Sequence, residues 1–188
     1  MTLLAAGVLL WTLVHLSPAV APGIRRSLTG RLGENPYKGL FALSLLLSLA
    51  LIVAGWRSTV PQHVYLPPVW GRHLAMLLMV VAVILFGAAN YPTAIKRYLR
   101  HPMLTGMAVW SLAHLLANGD SRSLLLFGGL GLWALLEMPL ISRREGAWQK
   151  PDAPPLAGEI RGLIISIVIF VALIALHPYF AGVSPIAR

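Results

Sequence analysis

Histidine is the residue type here with the most chemistry to offer. Cysteine is absent, which removes disulfides, thiolate metal sites and cysteine catalysis. Six histidines are present: His15, His63, His73, His101, His114 and His177. His63 and His177 fall in a loop and at a helix end, where a solvated or interfacial imidazole is expected. His73 opens an apolar run and reads as interfacial. His15 and His114 lie well inside apolar runs, where an ionisable side chain is costly and marks function or an interhelical hydrogen bond.

The contexts of these two match. One reads Trp11-Thr12-Leu13-Val14-His15-Leu16 and the other Trp110-Ser111-Leu112-Ala113-His114-Leu115. Each His follows a Trp by four residues, one helical turn away on the same face. No two histidines are three or four residues apart, so no single helix offers a two-His site. His15 and His114 each sit about a dozen residues into their own runs, roughly 18 Å along a helix. Antiparallel neighbouring helices would bring them to similar depth. Two neutral imidazoles flanking a flat apolar group are what a bis-histidine haem b requires. A bare zinc or copper ion would want further protein ligands, and none lies at that depth.

Other candidates sit around this pair. Arg100-His101-Pro102 opens a helix, with Pro suited to its first turn. Arg97, Arg100 and His101 therefore cluster at a membrane surface, as headgroup anchors or as contacts for the carboxylates of a cofactor. His101 and His114 are about 13 residues apart, roughly 20 Å, so they cannot share one iron on a continuous helix. Gly106, Trp110, His114 and Asn118 form one stripe, in which Gly106 would admit another helix or a flat ring. Asn118-Gly119-Asp120 reads as a helix end and tight turn. Glu137 reads as interfacial and paired with Arg143 or Arg144. Phosphate loops, HExxH and nucleophile elbows are absent from the sequence.

The elements that must position these residues are membrane helices. Of 188 residues, 57% are hydrophobic and 11% charged, about half the charge of a soluble domain. Six runs, about 2–20, 39–56, 73–92, 102–119, 123–141 and 162–181, are near the ~20 residues that span a bilayer. The fold class is thus all-α, a single transmembrane domain over 1–188 with six spans. The connections, including 21–38 with its Pro22-Gly23 and Asn35-Pro36 signals, read as loops. The first run ends in Pro18-Ala19-Val20-Ala21, resembling a signal-peptidase site. No basic residue precedes it, so it reads as a retained span.

The net charge of +9 does not imply nucleic acid, because the basic residues lie between apolar runs. The first, third and fifth connections hold 11 of the 15 Lys and Arg. The remaining four are Arg57, Arg72, Arg122 and Arg188. The positive-inside rule puts the basic loops in the cytoplasm and both termini outside.

Arg100-His101-Pro102-Met103-Leu104-Thr105-Gly106, Trp110 through Asp120, and Leu126-Phe127-Gly128-Gly129 together resemble the NnrU family of bacterial membrane proteins. His15, Arg25, Gly33-Glu34 and Tyr37 through Phe41 agree with it. The resemblance implies an inner-membrane protein of denitrification, nitric oxide or redox metabolism. It also implies kinship with the 15-cis-zeta-carotene isomerase family, whose members are haem b proteins of membranes. Carried over, their ligands are His15 and His114. That family has a further histidine downstream of the second ligand, and the run 123–141 here has none. The Arg-His-Pro-x-x-x-Gly pattern is also similar to that of isoprenylcysteine carboxyl methyltransferases, where it serves S-adenosylmethionine.

The reading is therefore a haem b membrane protein, with an apolar lipid or small gas as ligand. A haem-dependent polyene isomerase and a scaffold or transporter with helix-bonding histidines are the alternatives. Oligomeric state is not legible.

Overall fold

A computed structural model describes residues 1–152 and 154–186; Arg188, counted above among the outer basic residues, lies outside them. The described chain forms α1 (Thr2–Val20), α2 (Pro22–Leu32), α3 (Glu34–Ser58), α4 (Gly71–Asn90), α5 (Ile95–Tyr98), α6 (Pro102–Ala117), α7 (Ser121–Glu145) and α8 (Leu156–Ala181). Strands are absent among the described residues, where only an isolated bridge joins His63 and Asp120. Five helices, α1, α3, α4, α7 and α8, are long and apolar enough to cross a membrane. The sixth apolar helix, α6, has 16 residues.

The large helices pack in the order α3, α1, α7, α6, α4, α8. Their outward faces are apolar, as lipid contact requires: Leu43, Leu77 and Val168 are each more than 60% exposed. Buried contacts are made by small residues and a few large ones, since lipid leaves close packing as the main drive for helix association. Leu4, Val8 and Ile52 join α1 to α3, while Leu104, Leu130, Trp133 and Ala134 join α6 to α7. Gly55 lies against Leu4 so closely that a Cβ there would collide with the Leu4 backbone.

The contacts fix a common polarity. Gly7 meets Ile52 and Gly55 meets Leu4, so α1 and α3 are antiparallel. Gly129 meets Val8 and Trp133 meets Trp11, so α1 and α7 run in the same direction. Gly131 meets Ser111, and His101 bonds Ser142, so α6 opposes α7. Gly106 meets Ala82 and Gly71 meets Leu116, so α4 opposes α6; Gly87 meets Ser166 and Tyr91 meets Gly162, so α8 opposes α4. All three basic connections therefore gather at one end.

At the other end, residues 60–68 run outside any helix across the turn between α6 and α7. Val64 N and Tyr65 N donate to Gly119 O at 2.8 and 3.1 Å, and Ser121 N donates to Gln62 O at 2.8 Å. Arg122 donates to Trp56 O at 3.0 Å and lies over the Trp56 ring, tying α7 to α3. Asp120 caps α7, accepting from Arg122 N and Ser123 N at 3.0 and 3.2 Å. Burial pushes its carboxyl upward, but these bonds and the Ser123 hydroxyl outweigh that and hold it below the usual carboxylate range.

Three expectations need correction. The connection 21–38 is helical over α2 and the start of α3. Pro22, read as a turn, is the first residue of α2, where a missing N–H costs nothing; Gly33, at φ 87°, ends that helix. The connection 93–101 contains the short helix α5. Glu137 is not interfacial: it is 6% exposed, and no described ion pair joins it to Arg143 or Arg144. It continues the buried stripe of Leu130 and Trp133 at helical spacing.

Two outcomes follow. Gly55→Ala should destabilise the α1–α3 seam by about 1–3 kcal/mol, the usual cost of overpacking. A midpoint of thermal unfolding in detergent equal to the parent's would contradict the close approach. Reporter fusions after Lys38, Arg100 and Lys150 should agree with one another and report cytoplasm. A single periplasmic report among them would break the common polarity.

Candidate functional site

His15 and His114 are held by the same device. His15 Nδ1 lies 3.0 Å from Trp11 O, and His114 Nδ1 lies 2.9 Å from Trp110 O. A carbonyl only accepts, so in the neutral ring the proton must sit on Nδ1. The lone pair is then on Nε2, the nitrogen that can bind a metal. The Trp one turn earlier braces each ring, with centroids 4.3 Å apart for Trp11 and His15 and 4.7 Å for Trp110 and His114.

The remaining surroundings differ. His15 faces Trp133 of α7 at 4.8 Å and Phe41 of α3 at 5.9 Å. His114 stacks on Phe127 of α7 at 4.2 Å and 22°. Both helices pack on α7 rather than closely on each other. Along α7, Phe127 and Ser111's partner Gly131 set His114 level with about Gly128. Val8 on Gly129 and Trp11 on Trp133 set His15 level with about Leu136. The Cα levels differ by about eight residues, roughly 12 Å. The rings lean toward each other, since each helical side chain tilts toward its own N-terminus and the helices are antiparallel.

His114 also lines a cavity of about 320 Å³ between α4, α6 and α8. Met76 and Met79 from α4 and Phe170 and Ile174 from α8 form apolar walls, and Arg72, Asn118 and Ser184 bring polar groups to the same cavity. His177 of α8, half-exposed and near the helix end as its sequence context reads, stands beside the same cavity. Its Nδ1 is held by Val183 O at 2.6 Å, the same carbonyl device.

The basic cluster is elsewhere. His101 caps α6 and its Nε2 lies 2.7 Å from Ser142 Oγ; burial and then the neighbouring Arg100 charge push its imidazole below the ordinary value. Arg100 pairs with Glu145 at 3.6 Å, and Arg97 is exposed. This cluster lies at the opposite end of α6 from His114, about 20 Å along the axis. Gly106 admits a helix: a Cβ there would press on Phe86 and Ala82 of α4 at 3.0–3.2 Å. Asn118 turns back on His114 O at 2.9 Å. Among the described residues, no group of three or more His, Asp or Glu is placed to hold a metal ion.

Around His15 the seam contains buried polar groups: Trp11 Nε1 has no hydrogen-bond partner, and Trp133 Nε1 and the Glu137 carboxyl lie together. The sequence marks Trp11 and singles out Glu137, though as an interfacial group, and it does not mark Trp133, whose role depends on the pairing of α1 with α7.

With this geometry in place, the profile of the NnrU protein family matches residues 3–185. The chain belongs to the NnrU family. Its all-helical membrane architecture and the family assignment cover the same residues, from the start of α1 to just beyond α8. Curated proteins and solved structures contain no match to it.

The tautomers can be measured directly. Nitrogen-15 NMR of histidine-labelled NnrU protein, without added haem, should show His15 and His114 protonated at Nδ1 and bare at Nε2 near pH 7.5. A proton on Nε2 of either ring would contradict the carbonyl bonds.

Proposed function

We propose that this NnrU protein is a haem b-binding protein of the bacterial inner membrane, serving nitric oxide or redox metabolism. Its six apolar helices cross the bilayer with both termini outside. The observation that carries the reading is His114: an intramembrane imidazole whose Nδ1 is occupied by a carbonyl, leaving Nε2 as a lone pair on a ligand-sized cavity. Pockets for small molecules begin near this volume.

The residues fit the group. Haem b, when bound, supplies one-electron and small-gas chemistry. The chain's own part is to hold the ring and exclude water. Trp110 O fixes the His114 tautomer, Phe127 and Trp110 fix its plane, and Met76, Met79 and Phe170 offer apolar surface to the ring. By the family resemblance, His15, whose ring is prepared in the same way, would hold the group together with His114. Arg97, Arg100 and His101 would reach haem carboxylates only over the length of α6, so their ion pair and cap support an anchoring role at the surface instead.

Purified protein in detergent should be coloured, with a low-spin Soret band that shifts on reduction. His114→Ala should lose that spectrum or become high-spin, while His63→Ala should leave it intact. A folded, colourless protein that takes up no added haem would overturn the cofactor. The buried histidines would then be helix-bonding groups worth about 1 kcal/mol each.

A further inference from the structure

Six cations stand close together at one end of the bundle and take no part in holding the buried histidines. Residues 96–100 and 143–150 carry Lys96, Arg97, Arg100, Arg143, Arg144 and Lys150 against the single acid Glu145. These segments meet where α6 begins and α7 ends, as the bond between His101 and Ser142 shows. There they enclose a cleft of about 560 Å³, lined by Lys96 and Arg100 before α6 and by Glu145, Trp148 and Gln149 at and beyond the end of α7. We propose that this cleft seats the phosphate of an anionic membrane lipid, with Arg100 and Lys96 as its donors and Trp148 beside it. Such a seat is independent of any haem, since His114 lies about 20 Å away along α6.

Arg100 carries the case. Its side chain is only 19% exposed, so water reaches few of its five N–H donors. Among the described residues its acid partner is Glu145 at 3.6 Å, well beyond the roughly 2.7–2.9 Å of a charge-assisted hydrogen bond. Glu145 is shared with Arg144 at 3.7 Å, so one carboxylate stands between two guanidinium groups without a short bond to either. Lys96 gives one proton to Ala89 O at 3.0 Å and keeps two. Lys150 lies over the Trp148 ring at 5.1 Å and adds positive charge beside the cleft. A phosphate offers the paired oxygens that a planar guanidinium fork takes, together with the charge that six cations and one acid call for.

The location selects a lipid over a soluble phosphate. Pro102 starts α6 two residues after Arg100, and Met103 in its first turn is 44% exposed. An acyl chain descending from a phosphate at Arg100 therefore meets apolar surface at once. Trp148 is half-buried at this level, where tryptophans favour the boundary between headgroups and hydrocarbon. Basic clefts between membrane helices on the cytoplasmic side bind anionic headgroups, and the positive-inside rule gives this end to the cytoplasm.

The test is native mass spectrometry of the full chain in neutral detergent, with phosphatidylglycerol or phosphatidylcholine added. One phosphatidylglycerol should stay bound where phosphatidylcholine, whose choline the cations repel, does not. Lys96→Gln/Arg100→Gln should weaken retention by about tenfold or more. Arg25→Gln/Arg26→Gln removes equal charge from another basic connection and should leave retention intact. Glycerol phosphate should not displace the lipid at comparable concentration. Sodium chloride should lower retention in the parent, as screening of partly exposed charges requires, and this arm stands even where the double variant fails to fold. Equal losses in the two double variants would reduce the effect to diffuse surface charge and overturn the proposal. Displacement by glycerol phosphate would assign the cleft to a soluble anion and overturn the lipid. Retention indifferent to salt, or to Lys96→Gln/Arg100→Gln, would overturn the seat itself.

Discussion

A histidine inside a membrane must dispose of one N–H and one lone pair, and hydrocarbon offers neither a donor nor an acceptor. His15, His114 and His177 each solve half of this problem with a backbone carbonyl on Nδ1. The carbonyls come from Trp11 and Trp110, one turn earlier in the same helix, and from Val183 beyond a helix end. The other half, an unprotonated Nε2, is left for something else to satisfy. Much of the structure around these residues serves that arrangement. The tryptophans keep the rings from rotating away, α7 supplies Phe127 and Trp133 as their opposite walls, and α8 closes the cavity.

The scaffold holds these rings with little specific bonding between helices. Close contacts at Gly7, Gly55, Gly71 and Gly106 bring helix backbones together. Polar ties gather at the ends: Arg122 on Trp56 O, Asp120 on α7 and Glu159 on Thr93 Oγ1 at 2.8 Å. In a lipid environment this division is expected, since packing drives association inside and hydrogen bonds with water compete only at the surfaces. The buried Trp11, Trp133 and Glu137 polar groups near His15 are the exception. They place polar groups inside the α1–α7 seam.

The helices that cross the membrane were legible from apolar runs, because lipid demands length and composition from each segment alone. The basic connections were legible as one set for the same reason. The surface helix α2 was not, since Pro22-Gly23 reads equally as a turn and as a helix start. Glu137 was misplaced because its burial comes from the packing of α7 against its neighbours. His177 sits near the end of α8 beside Pro178, as its context reads, and the cavity beside it depends on α4 and α6. The Trp-His spacing, by contrast, is an intrahelical relation, and the rings touch as the spacing requires.

The account turns on His114 as an iron ligand rather than a packed ring, and chemical rescue separates the two. His114→Gly protein, purified with haem supplied, would be titrated with free imidazole while its absorption is followed. Low-spin haem that is lost in the variant and returns as imidazole fills the vacated space is the predicted result. A variant that binds haem with the parent's spectrum before any imidazole is added would contradict it.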